Sequence, residues 1–183
     1  MQTLTEFFGF TSPISTFWNL SAYLAFTIII AGVLSEKYRN LLITYGAGVL
    51  ALYAGIFLHN PLFMLLQTLI VISGILLSIK PLPKNVAVAI MIFSTVAAYL
   101  FLIINGSITS VSAFIGSIGL LGIAFGLIAL PKRYGFLLMA VGGILLFIYA
   151  FYVSAWVFFF LNIFFTLANI KKLCQWKIAG PAC

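Results

Sequence analysis

Acidic side chains are nearly missing from this chain. Glu6 and Glu36 are the two acids among 183 residues, against nine lysines and arginines and a single histidine. Acid–base catalysis and metal binding need carboxylates, imidazoles or thiolates brought together, and few are available here. His59 stands beside Asn60-Pro61 with no Cys, Asp or Glu close by in sequence, so it reads as a loop residue and not a metal ligand. The two cysteines, Cys174 and Cys183, form no CxxC pair, and the closing Gly-Pro-Ala-Cys is not a prenylation box. With no nucleophile–base pair to point to, neither an enzyme nor a resident cofactor or metal is expected. Charge of either sign is scarce. Charged residues make up 6% of the chain and hydrophobic ones 64%, whereas a soluble domain carries about a quarter charged residues. Too little charge remains to coat a surface facing water, so lipid must cover most of it. The net charge of +7 does not imply nucleic acid, because the basic residues come in ones and twos and form no groove-lining patch.

What the chain does have is long apolar runs. A helix crossing a bilayer core of about 30 Å takes roughly 20 apolar residues, since unpaired backbone groups are too costly in hydrocarbon. Seven stretches qualify, at about 17–35, 40–58, 62–79, 86–105, 112–130, 134–153 and 155–170. Lys37 and Arg39 follow the first, Lys80 and Lys84 the third, Lys132 and Arg133 the fifth, and Lys171, Lys172 and Lys177 the seventh. These are all the lysines and arginines there are. The positive-inside rule puts these four ends in the cytoplasm, so the N-terminus is expected outside and the C-terminus inside a plasma (inner) membrane. Trp18 and Trp156 fall at the outer boundary and Trp176 at the inner one, as interfacial belts require. Met1–Thr16 lacks the basic region of a signal peptide and is expected to be retained, with Phe7, Phe8 and Phe10 suited to the lipid interface.

A repeat runs through the chain. Displaced by 96 positions, residues 37–56 fall on 133–152. Tyr38 then meets Tyr134, Gly46 meets Gly142, Tyr53 meets Tyr149 and Ala54 meets Ala150. Beyond the outer loop, expected to be one residue shorter in the second copy, the displacement is 95. Phe63 meets Phe158, Leu66 meets Leu161 and the amide Gln67 meets the amide Asn162. The expected fold is therefore all-α and membrane-integral: seven transmembrane helices, as two parallel three-helix repeats joined by an inversion-linker helix. The segments are 1–16 (outer, interfacial), 17–79 (first repeat), 80–111 (linker helix and loops), 112–172 (second repeat) and 173–183 (cytoplasmic tail).

With no carboxylate in mid-span, carboxylate-driven proton coupling is not expected. A retinal-binding pigment is excluded by the lack of both buried acids and a lysine in mid-helix seven. The chemistry left is that of neutral polar groups at depth. Gln67 and Asn162 lie about two turns in from the outer boundary. Asn162, Thr166 and Asn169 share a face of the last helix, since spacings of four and seven return to one side. Asn19, Tyr23 and Thr27 make a similar stripe on the first. Tyr53 and Tyr149 are repeat partners near the outer ends of helices two and six. Converging on a pseudo-two-fold axis, these groups would line a cavity suited to a neutral, ring-bearing solute. The alternative is that the amides only glue helices together and the tyrosines anchor the interface. Gly116, Gly119, Gly122 and Gly126, with Gly46, Gly48, Gly142 and Gly143, suit close helix packing; a hinge at the glycine pairs is the alternative.

In its 3+1+3 plan, with the N-terminus out and the C-terminus in, the chain resembles the SWEET/PQ-loop superfamily. It is similar to PnuC-type nicotinamide riboside transporters in Leu52-Tyr53-Ala54 followed by Gln67 and Gly74, and in Ile148-Tyr149-Ala150 with a later Trp176. It is similar to the YgjV-type inner-membrane proteins in Leu161-Asn162-Ile163. It departs from SWEETs in having every proline (13, 61, 81, 83, 131, 181) in an expected loop or tail, and no Pro-Gln dipeptide. The resemblance implies facilitated passage of a small, largely uncharged solute, vitamin-, nucleoside- or sugar-like, by alternating access, with Gln67 and Asn162 as paired contacts. The competing expectation is a non-transporting accessory subunit of a larger membrane complex. Besides lipid and solute, the apolar faces would serve a second copy or such a complex.

Overall fold

Serine and proline decide where the first helix begins. Ser12 and Ser15 form a reciprocal cap, with Ser15 N donating to Ser12 Oγ (3.2 Å) and Ser12 N to Ser15 Oγ (2.8 Å). Pro13 takes the first helical position, where a missing N–H costs nothing. The computed structural model describes residues 10–35, 37–79, 82–129 and 132–179, the side chains at 33, 34, 39, 77 and 176–179 excepted. Within them lie α1 (Pro13–Leu34), α2 (Arg39–Leu52) continued by a π-helical turn (Tyr53–Phe57), and α3 (Pro61–Ser78). These are followed by α4 (Lys84–Ile104), α5 (Val111–Ala129), α6 (Arg133–Tyr152) and α7 (Trp156–Ala179). The described residues contain no strand.

Six of these helices, α2 counted with its π turn, are long and apolar enough to cross a membrane. Helix α3 contributes a shorter apolar stretch, Pro61–Leu76. The architecture is that of an all-α, multi-pass membrane protein.

The chain divides into two compact units, Met1–Ser78 and Ile79–Cys183. In the first, α2 packs against both α1 and α3. Its core is Ala22, Ala25, Ala47, Leu50, Phe63 and Leu66, all almost fully buried. In the second, α6 packs against both α5 and α7, and α4 lies against α5. Backbones approach closely between α5 and α6. A Cβ added to Gly142 would lie 2.7 Å from Gly119 O and 2.8 Å from Ile123 N, and one added to Gly122 would lie 3.1 Å from Gly142 Cα. Small residues allow such an approach, and without a hydrophobic effect between helices in lipid the contact itself supplies the attraction.

The turns after α2 and α6 are built alike. His59 (φ 50°) and Ser154 (φ 55°) both take the left-handed conformation. Asn60 N donates to Ala54 O (2.8 Å), and Ala155 N to Ala150 O (2.9 Å). One step earlier the turns differ: Leu58 N reaches Tyr53 O (3.0 Å), five residues back, whereas Val153 N reaches Tyr149 O (3.1 Å), four back. The expectation of a shorter second outer loop is thereby corrected. Both loops hold three residues, 58–60 and 153–155. The additional residue sits inside the helix and is wound into the π turn, the usual way a helix absorbs one.

Other boundaries also shift. Helix α1 begins four residues before the expected 17, so the outer segment 1–16 is helical from Pro13 on. Helix α7 continues to Ala179, so residues 173–179 are helix and not tail. Pro13 and Pro61 open helices and are not loop residues. Glu6, Phe7, Phe8, Glu36, Lys80, Cys183 and the side chains of Trp176 and Lys177 lie outside the described residues.

Candidate functional site

Seven amide- or hydroxyl-bearing side chains that the sequence singles out are buried in apolar helices, and they differ in how their hydrogen bonds are met. On α1, Asn19 is buried. Its Nδ2 donates to Ser15 O (2.9 Å), and its Oδ1 accepts the hydroxyl of Tyr53 at 2.6 Å. Tyr53 opens the π turn, which aims its ring across to α1. Its ring stacks on Phe57 (5.5 Å between centroids), and Phe57 stacks in turn on Trp18 of α1 (6.3 Å). Asn19 and Tyr53 are thus brought together. Tyr23, one turn further along α1, lies edge-on to Phe10. Thr27 ends that stripe exposed, donating to Tyr23 O (2.9 Å).

In the second unit Asn162, Thr166 and Asn169 are all buried on one face of α7. Asn162 Nδ2 donates to Phe158 O (2.7 Å) and Asn169 Nδ2 to Phe165 O (2.8 Å), each to its own helix. Thr166 differs: its Oγ1 is buried with no partner, beside Gly143 of α6. Tyr149 is buried on α6. Burial of both Tyr53 and Tyr149 removes them from the role of lipid-facing anchors.

Gln67 stands apart. Its residue is 1% exposed, and neither Oε1 nor Nε2 has a hydrogen-bond partner. An amide carries an acceptor and two donors, and leaving a buried group unsatisfied costs about 1–3 kcal/mol. Its repeat counterpart Asn162 commits its donor to the helix, so the two amides expected to act as a pair are unlike in availability.

Nothing in the sequence marks a further group, Thr44 Oγ1, also buried without a partner. A threonine within an apolar run looks ordinary, and its seat against Gly74 of α3 follows only from how α2 and α3 pair. No three His, Cys, Asp or Glu among the described residues cluster as a metal site. Cys174 is exposed on α7.

Comparison with known proteins gives no match to any family model, curated protein or solved structure.

Proposed function

We propose that this protein is a transporter that facilitates passage of a small, largely uncharged solute across a plasma (inner) membrane. All seven helices then serve as spans, with α3, about 27 Å long at 1.5 Å per residue, as the seventh. Basic residues at alternate ends then set the N-terminus outside and the C-terminus in the cytoplasm. Helices α1–α3 and α5–α7 are taken as parallel repeats and α4 as the linker, a plan used by transporters and resembling SWEET/PQ-loop proteins. The like outer turns support this reading, and so does the π turn, which accounts for the change of displacement from 96 to 95.

One observation carries the function: the unsatisfied amide of Gln67. A buried polar group without a partner calls for an explanation, and an uncharged solute that accepts and donates hydrogen bonds supplies one. Thr166 in the second unit has the same unspent capacity. A charged cargo would need a counter-charge, and the sequence places none in mid-span.

The test is uptake by proteoliposomes of the purified protein from a panel of nucleosides, sugars and vitamins, with Gln67→Met alongside. We expect uptake above empty liposomes for at least one neutral solute, and a loss of about tenfold in the variant, as for one or two hydrogen bonds. No uptake of any solute would favour the accessory-subunit reading, for which the amides of Asn162 and Asn169 are simply helix-bound polar groups.

A further inference from the structure

We propose that the first unit contains a hydrated track between α2 and α3, with Gln67 as one station and Thr44 as a second about 10 Å further along. This rests on reading Gln67 as a solute contact and adds where the solute, or the water preceding it, goes next.

Threonines in a helix ordinarily satisfy their hydroxyl on the carbonyl four residues back. Thr27, Thr68 and Thr95 do so here, at 2.9, 2.8 and 2.7 Å. Thr44 does not. Its hydroxyl is buried and unpartnered, beside the Cα of Gly74, although Asn40 O, its ordinary acceptor, lies near the same glycine. Any side chain at position 74 would collide with that hydroxyl, so glycine there leaves it room.

The two stations share one interhelical seam. Met64 meets Gly55, Val71 meets Gly48 and Gly74 meets Thr44, so this side of α3 faces α2, and helical spacing puts Gln67 on the same side. Gln67 and Gly74 are seven residues apart, about 10 Å along the axis. Between their levels the seam is uncrowded: a Cβ added at Gly48 would make only an ordinary contact, with Val71 Cγ2 at 4.0 Å. Two orphaned polar groups supply the partners a buried water requires, and the glycine between them, which carries no side chain into the seam, is where the file would pass. The ligand class is water and neutral solutes bearing hydroxyl or amide groups.

Cysteine accessibility tests this without requiring transport. In a Cys174→Ser, Cys183→Ser background, Thr44→Cys and Gly48→Cys are exposed to 2-aminoethyl methanethiosulfonate in proteoliposomes. Thr95→Cys is the control, a buried position whose hydroxyl is satisfied on its own helix. Thiols react as thiolates and need water to ionise. We expect both seam cysteines to react at least about tenfold faster than Thr95→Cys. Rates equal to the control at both positions would overturn the track. Fast labelling without uptake of any solute would keep the track and remove the transporter reading. Uptake dependent on Gln67 with slow labelling at both positions would do the reverse.

Discussion

Tyr53 donates its hydroxyl to Asn19 Oδ1 across 34 residues of sequence, at 2.6 Å. The bond joins α1 to the first residue of the π turn. It continues to the N-terminal cap of α1, because Asn19 donates to Ser15 O and Ser15 closes the cap with Ser12. This end of the first unit is thus held by a run of polar contacts backed by the stacked rings of Tyr53, Phe57 and Trp18. In the second unit the equivalent turn is ordinary α-helix, and Val153 bonds Tyr149 four residues back.

Tyr53→Phe keeps the stacking and removes the hydroxyl. Side-chain hydrogen bonds between membrane helices average about 0.6 kcal/mol and reach about 1.7, and the short Tyr53–Asn19 bond belongs in the upper half of that range. Unfolding in mixed micelles on titration with sodium dodecyl sulfate should show a loss of about 1 kcal/mol. Wild-type stability would mean that the bond contributes nothing.

Deleting Ile56 should convert the π turn to α-helix. The residue is exposed, and α6 makes the same kind of turn with one residue fewer. We expect the deletion to fold with a thermal midpoint within a few degrees of wild type, corresponding to under about 1 kcal/mol. Deleting Leu50, which is fully buried, would rotate the rest of α2 and should abolish folded protein. If both deletions are equally damaging, the π turn is not the site of the additional residue.

Much of this fold is legible in the sequence because lipid demands one thing of a span, a long apolar run. Helix ends were less legible. Helix α7 runs on past Ile170 because Lys171, Lys172 and Gln175 are good helix formers that a hydropathy window discards. The shift between copies was visible as a change of displacement, but its location was not. A π turn has no composition of its own, and loop and helix explain a one-residue offset equally well. For the site, burial of Gln67, Asn162, Thr166 and Asn169 followed from their place in apolar runs. Which of them had satisfied their bonds did not, because Asn162 and Gln67 differ only in whether the side chain reaches its own helix.

Gly142 and Gly48 are equivalent to composition and opposite in surroundings. A methyl at Gly142 meets backbone atoms of α5, Gly119 O and Ile123 N, both within 2.8 Å, and backbone yields only by separating the helices. Gly142→Ala should cost about 1–3 kcal/mol, as overpacking does. Gly48→Ala meets nothing closer than 4.0 Å and should be neutral or stabilising by up to about 1 kcal/mol from helix propensity. The same micelle titration checks both, and equal effects would contradict the close α5–α6 contact.

The proposed orientation makes a prediction for reporters. Alkaline phosphatase fused after Gly106, in the turn following α4, should be active, and fused after Lys172 inactive, with the reverse for a cytoplasmic fluorescent reporter. Gly106 takes a left-handed conformation (φ 61°) with open space around it, so an insertion there disturbs little. Activity at both points would place the two on one side and dismiss the alternating arrangement of basic ends.

Gln67→Met yields the sharpest contrast, because stability and uptake should move in opposite directions. In the protein alone, the amide is buried with all its hydrogen-bonding capacity unspent, a penalty of about 1–3 kcal/mol. Met has similar length, no polar head and enough flexibility to fill the same space. The variant should therefore resist unfolding better than wild type by about 1 kcal/mol or more, while losing uptake. Water entering the track would offset part of the penalty, so the gain should be smallest in the most hydrated preparations. A residue serving only as helix glue would behave otherwise: its replacement would remove a bond, and the protein would become less stable. A lower unfolding midpoint for Gln67→Met would thus show that the amide has a protein partner and would end its candidacy as a solute contact.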